Sequence, residues 1–380
     1  MRPQVSIRAL VGVAVVSALV TGCAADQDSS AEDRTSQSGD GRHATVLDEA
    51  VGKIAEKAPE LTVDLGGAAK VSFDEGEPLK IAFSGYGKGF DYSAPEFDAA
   101  ADLVEEHDIE IDQFDPAGDP QKQVTQVQDA MASGKYNAMI VYPLSTDLMC
   151  DLMTRQMPAA GILPVAIGNP PCTEEQADGV LTVVPDTGGT DYVYPAWAET
   201  IATHEEGGRA ILITGPEIDF TSKVATAAIE DAFAARDIEL LAIQRTDFTQ
   251  EDSLKKAQDI LQAHPDVDVV VSSYPEGTHA AVTALKLAGR EEVKVYDFGG
   301  ESRILDEIES GKVAGSSPFY PYTKVKAAVQ ALLLARAGEA VDPVIPYAGH
   351  AEESMRSEGD KIMFVTPDNV DAFHADVAEY

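Results

Sequence analysis

The sequence predicts an α/β protein built as two doubly wound parallel-sheet lobes. From Leu79 onward, short apolar runs alternate with longer amphipathic ones, which is the pattern of βαβ units. The strand candidates outnumber what one small domain holds, and a folded portion of about 300 residues suits two domains. Those candidates are Lys80–Phe83, Ile109–Phe114, Ala138–Val141, Leu163–Ile167, Gly179–Val183, Ala210–Ile213, Glu239–Arg245, Val267–Val271 and Val293–Tyr296. Helix patterns fall between them at Pro95–Glu106, Asp119–Ser133, Asp191–His204, Lys223–Ala235, Thr249–Ala263 and Thr278–Ala288. Ahead of these, Val46–Lys57 places Val46, Leu47, Ala50, Val51 and Ile54 on one face of an amphipathic helix that would pack outside the first lobe.

The first residues read as an export signal. Arg2 and Arg8 precede an apolar run from Ala9 to Val20, and small residues lead to Cys23. A dozen or so apolar residues are too few for a permanent membrane span, which needs about 20. Residues 1–22 are therefore read as a lipoprotein signal peptide, because Leu19-Val20-Thr21-Gly22-Cys23 resembles the bacterial lipobox, in which the cysteine is lipidated and becomes the mature N-terminus. Residues 23–43 are polar, with too little apolar surface to fold, and read as a disordered tether. The localisation expected is the extracytoplasmic face of the cell membrane, lipid-anchored.

With Cys23 assigned to the lipid, Cys150 and Cys172 remain as a pair in an oxidising compartment, which favours a disulfide. Neither has a second Cys or His at metal-ligand spacing, so no metal site is expected. The formal net charge of −37 repels phosphate backbones and excludes nucleic acid as a partner. Gly85, Gly87 and Gly89 lack the third glycine and the later acidic residue of a dinucleotide-binding turn, so no cofactor is expected. The seven histidines are scattered, with no short catalytic motif, and no enzyme activity is expected.

Several local motifs occur in one order along the chain. They are Asp119-Pro120-Gln121-Lys122-Gln123, Ala138-Met139-Ile140-Val141-Tyr142-Pro143, Gly207-Gly208-Arg209, Ile213-Thr214-Gly215, His264-Pro265-Asp266-Val267-Asp268, Ala284-Leu285-Lys286-Leu287-Ala288-Gly289 and Ile308-Glu309-Ser310-Gly311-Lys312-Val313. In that order they resemble the ribose-binding-like periplasmic (type I) solute-binding proteins of sugar ABC importers. The sugar-responsive repressors share this core, but they carry a DNA-binding helix pair where this chain has an export signal. The resemblance implies a three-segment hinge, with crossings near Pro185-Asp186, near Phe319 and between Pro346 and Phe364. Lobe 1 then comprises 44–185 plus 319–345, and lobe 2 comprises 186–318 plus 346–380. It also implies a small-molecule solute in the interlobe cleft, an ABC permease as partner, and a monomer.

At the positions where that family grips sugar hydroxyls, this sequence departs. Gly168-Asn169 stands where the family often has Asp-Arg, Tyr274-Pro275 replaces Asn-Asp, Gly299 replaces Asp, and Phe319 replaces Gln. Rings thus replace several hydroxyl-binding groups, and aromatic faces stack on flat ligands or hold cations. The expected ligand-binding residues are Tyr86, Phe90, Tyr92, Asn169, Asp219, Phe248, Tyr274, Asp297 and Phe319. The function expected is capture of a sugar-like or ring-containing solute for an ABC importer. Two alternatives stay open: a sensor lipoprotein presenting its solute to a signalling receptor, and an aromatic or nucleoside binder in place of a sugar binder.

Overall fold

Continuous apolar runs such as Ala138-Met139-Ile140-Val141 have no polar side to show to water, so they are stable only in a sheet covered on both faces. The computed structural model describes residues 61–65, 70–73, 78–107, 109–172, 177–185, 189–205, 207–349, 361–373 and 378–380. The expected signal peptide, Cys23, the tether and the helix Val46–Lys57 lie outside the described residues.

In the first lobe, β3 (Lys80–Ser84), β4 (Glu110–Phe114), β5 (Ala138–Val141), β6 (Leu163–Ile167), β7 (Leu181–Pro185) and β13 (Val344–Tyr347) form one sheet. Its order is β13-β7-β6-β5-β3-β4 and every pairing is parallel. The second sheet is β12-β11-β10-β8-β9, also fully parallel, from β8 (Gly208–Thr214), β9 (Ile238–Arg245), β10 (Val269–Ser272), β11 (Lys294–Gly299) and β12 (Gly315–Pro318). A separate antiparallel hairpin, β1 (Leu61–Asp64) with β2 (Lys70–Phe73), precedes the first lobe.

Each expected helix after the first strand is present, with ends set by local chemistry, and the helices Thr146–Asp151, Ser302–Glu309 and Pro321–Ala337 are additional. The helix Pro120–Ser133 starts at Asp119, whose side chain accepts from the amides of Gln121 and Lys122, and Pro120 fills the first turn where no amide partner is needed. It stops at Gly134, in the left-handed conformation at φ 62°. Asp219 and Thr249 cap the helices Phe220–Ala234 and Gln250–Ala263 in the same way. The helix expected at Thr278–Ala288 begins earlier, at Pro275, and β11 runs on to Gly299.

The chain passes between the sheets three times. One passage follows Pro185, one joins β12 to the first-lobe helix Pro321–Ala337, and one lies between Tyr347 and Val365. β13 pairs with β7 through Tyr347, two residues past the expected lobe boundary, and Val365 bridges Ser316 of the second sheet.

Cys150 and Cys172 form a disulfide across a sequence separation of 22. It ties the helical segment after β5 to the loop after β6. In the chain-entropy treatment, closing a loop of this length stabilises by about 3 kcal/mol. Cys150→Ala/Cys172→Ala is expected to lose stability of that order in urea denaturation with an unchanged far-ultraviolet circular dichroism spectrum.

Candidate functional site

In a parallel sheet every strand ends on the same edge, so the loops that follow the strands converge at one place. Here the carboxyl edges of both sheets face each other, and the cleft between them holds a cavity of about 1150 Å³, counting its open mouth. Its walls are mainly aromatic. The first lobe contributes Tyr86, Phe90, Tyr92, Tyr142 and Tyr347, the second contributes Tyr194, Phe248, Tyr274 and Phe298, and the crossing contributes Phe319 and Tyr320. Tyr380 closes one side.

The rings meet edge to face, the arrangement their quadrupoles prefer. Tyr86 packs against Phe90 at 4.9 Å and against Tyr142 at 5.5 Å, and meets Phe248 of the other lobe at 6.1 Å and 89°. Phe248 in turn meets Tyr274 at 5.0 Å, and Tyr194 stacks on Phe298 at 4.7 Å.

Local chemistry aims each ring. Gln123 is fully buried and donates to the carbonyl of Tyr142 (2.7 Å) while accepting from the amide of Leu144 (3.0 Å), which fixes the turn that carries Tyr142. The Tyr274 hydroxyl bonds with the hydroxyls of Thr246 (2.5 Å) and Ser253 (2.8 Å), so its polar end is held inside the second lobe and its ring lines the cavity. Lys324, fully buried behind the wall, lies 4.6 Å from the Tyr142 ring centre and 4.4 Å from that of Phe319, and pairs with the buried Glu96 carboxylate.

Of the expected ligand residues, Tyr86, Phe90, Tyr92, Phe248, Tyr274 and Phe319 line the cavity. Three do not: the carboxylates of Asp219 and Asp297 and the side-chain N–H of Asn169 are taken up by hydrogen bonds within the fold. Asp297 is fully buried below the cleft, where its carboxylate accepts from the Thr278 hydroxyl (2.5 Å), the Ser316 hydroxyl (2.6 Å) and the Gly300 amide (3.0 Å). Burial pushes it up to about 6. Asp219 caps its helix through the Ser222 amide (2.7 Å) and the Thr221 hydroxyl (2.6 Å); burial raises its carboxyl, and Thr221 takes the place on the wall. Asn169 is buried and donates to the carbonyl of Pro143 (2.9 Å).

The sequence departures acquire a steric cause here. A Cβ on Gly168 would stand 2.2 Å from the Tyr142 ring, and one on Gly299 would stand 2.4 Å from Pro275 and 3.0 Å from the Tyr380 hydroxyl. The space that an Asp would use at either position is filled by a neighbouring side chain.

Sequence reasoning missed Tyr142, Tyr194, Phe298, Tyr320, Tyr347, Glu276 and Tyr380. Tyr142 stood in a quoted strand-end motif and Phe298 two residues past the expected strand Val293–Tyr296, so position at a strand's carboxyl end was the available signal. Tyr347 and Tyr380 come from the last part of the chain, where no periodicity pointed to the cleft. Among the described residues Glu276 is the one charged side chain on the wall, and its carboxyl is pushed up to about 7, by burial first and then by the negative charges of Asp91 and Glu301. Near it, His279 is buried between Glu301 and Glu307 (3.0 Å); burial works against its charged form, but the two carboxylates win and hold it up to about 9. No group of metal-ligating side chains stands together among the described residues.

Two parallel-sheet lobes, a triple crossing and a cavity at the facing strand ends define a two-lobed α/β protein with a cleft between its lobes. The chain belongs to the family described as the periplasmic binding protein domain, whose model matches residues 81–340. It is 26% identical over 208 residues to the ribose import binding protein of Salmonella typhimurium, covering 53% of this chain and 66% of that protein, just short of two thirds. It is 24% identical over 226 residues to the D-ribose/D-allose-binding protein of Pseudomonas aeruginosa, covering 58% and 69%. Among solved structures, an ABC transporter solute-binding protein of Mycobacterium smegmatis with bound glycerol superposes with a TM-score of 0.66 at 22% identity, covering 78% of this chain and 96% of that one. The Caulobacter myo-inositol binding protein gives a TM-score of 0.66 at 16% identity, covering 80% and 98%.

Gly168 tests whether the wall is built as described. Its φ of +70° alone costs an alanine about 1–2 kcal/mol, before any contact with the Tyr142 ring. Gly168→Ala is expected to lose at least that in chemical denaturation, while Gly134→Ala, also left-handed but with open space at its Cβ, loses only the backbone part.

Proposed function

We propose that this protein is the solute receptor of an ABC importer, holding a small solute in the interlobe cleft and presenting the closed form to a membrane permease. The observation that carries this reading is the aromatic cavity between the two carboxyl edges, in a chain of the periplasmic binding protein family whose relatives are named for ribose, allose and apiose. A ligand that touches both lobes stabilises the closed arrangement by its differential affinity, and a permease that reads closure then distinguishes loaded from empty receptor. Catalysis is not part of this reading, and the receptor works as a monomer.

The solute has a flat or apolar face. Sugar sites pair hydroxyls with buried polar groups, and a site that lacks those groups gains nothing from the hydroxyls. Here the carboxylates of Asp219 and Asp297 and the side-chain N–H of Asn169 are spent on the fold, and rings form much of the wall.

A thermal-shift screen across sugars, polyols, nucleosides and aromatic acids tests capture. A true ligand at 100 times its dissociation constant adds about 2.7 kcal/mol of stability. Phe90→Ala, which removes a lining ring that stands partly exposed, is expected to weaken that ligand by about 1–3 kcal/mol in calorimetry, by analogy with base stacking. Tight ribose binding that is indifferent to Phe90→Ala would identify an ordinary sugar site and overturn the flat-face reading.

The receptor is anchored by lipid at Cys23, on the strength of the lipobox and the polar tract behind it. Cell fractionation checks this: the native protein is expected with the membrane and Cys23→Ala in the soluble fraction. A native N-terminal peptide without lipid mass would refute the anchor.

A further inference from the structure

The charge around the cavity is one-sided. Among the described residues no lysine, arginine or histidine lines it, and Glu276 does. The phenols of Tyr86, Tyr92, Tyr142 and Tyr194 feel the carboxylate of Asp219, and those of Tyr274 and Tyr380 feel Glu276. Glu276 stands on the second lobe, at the start of the helix Pro275–Ala288, and Asp91 stands on the loop after β3 of the first lobe. The negative charge of Asp91 adds to that of Glu276, and among the described residues no positive neighbour on the wall offsets this half-buried carboxylate. The charged groups near Glu276 are Asp91, Glu301 and His279, and His279 is already held between Glu301 and Glu307. Lys324 lies off the lining and is paired with Glu96.

A neutral solute would leave this half-buried carboxylate uncompensated when the cleft shuts. An ammonium ion would pair with it and lie against ring faces whose quadrupoles attract cations. We propose that the solute selected by this cleft is an organic cation, its ammonium group beside Glu276 and its apolar or ring body against Tyr86, Phe90, Phe248 and Phe319. This rests on the reading of the chain as a cleft-closing solute receptor.

The carboxylate must be ionised to hold the cation. Its proton leaves around pH 7, so affinity rises with pH through that value and levels off above it. The ionised fraction grows about tenfold from pH 6 to pH 8, and a probe whose own charge does not titrate should gain about that factor. Binding near pH 7 also releases a proton.

The test uses matched pairs of one shape and two charges: choline against 3,3-dimethyl-1-butanol, and phenethylamine against 2-phenylethanol. D-ribose serves as a neutral polyol. Calorimetry on the mature protein in two buffers of different ionisation enthalpy reads affinity and proton release together. The expected result is a preference of at least about tenfold for the cation of a pair, falling to within about twofold in Glu276→Gln, together with loss of proton release and of the pH dependence. Circular dichroism of the variant confirms that it is folded, and Asp91→Asn is expected to weaken the cation less than Glu276→Gln does. Equal affinity for both members of each pair, or ribose binding unaffected by Glu276→Gln, overturns the cationic ligand and leaves the receptor function standing. No binding of any probe by folded wild-type protein counts against both.

Discussion

The Glu96–Lys324 pair is the interaction on which the binding cleft rests. Both side chains are fully buried, and they tie the helix Ala94–Glu106, which follows the first cleft loop, to the helix Pro321–Ala337, which begins where the chain returns from the second lobe. Glu96 also accepts from the Ser93 hydroxyl (3.0 Å), and the Ser93 hydroxyl accepts from the Gly87 amide (3.3 Å), so one carboxylate holds the loop that carries Tyr86, Phe90 and Tyr92. Lys324 lies against Tyr142 of the first lobe and Phe319 of the crossing. A buried pair of this kind adds little net stability over an apolar pair, but losing one partner strands a charge and costs about 3–5 kcal/mol. Its service is to position: it couples loop, hinge and wall in a single geometry.

Polar groups elsewhere in the cleft follow the same division of labour. Carboxylates and amides near the strand ends are bound inward, where they cap helices or join strands. Asp219 caps the helix after β8, Asp297 links β11 to β12 through Ser316 and to the helix Pro275–Ala288 through Thr278, and Gln123 holds the turn after β5. Glycines complete the arrangement by absence. Gly168 leaves room for the Tyr142 ring, and Gly215, where a Cβ would fall 1.9 Å from Phe248, leaves room for another. The outcome is a wall whose rings are free to meet a solute, because the hydrogen bonding that supports them lies behind it.

The long elements were legible because their patterns are local. β3, β5, β6 and the helices Pro120–Ser133 and Gln250–Ala263 lie within a residue or two of their expected bounds, since an apolar run or a capping residue marks each one. β12 and β13 were not legible. β12 is Gly-Ser-Ser-Pro, with no apolar run, and is a strand only because β11 pairs with it; β13 carries a proline and is held by β7 on one side. Of the expected site residues, those beside aromatic-rich strand ends line the cavity, while Asn169, Asp219 and Asp297 lie off its lining. A polar residue at a strand end looks the same in sequence whether it faces the solute or the fold.

The sequence by itself determined the α/β class, the two lobes, the Cys150–Cys172 pairing and the family, because each depends on periodicity, count or motif order along the chain. Only the tertiary structure decided which side chains form the cavity and what charge they present. Tyr86 meets Phe248 and Lys324 meets Glu96 across sequence separations that no local pattern spans. Burial then decides the rest: it turns Glu276 from one acid among many on an acidic chain into a cleft carboxylate held up to about 7, a property of its surroundings and not of its neighbours in sequence.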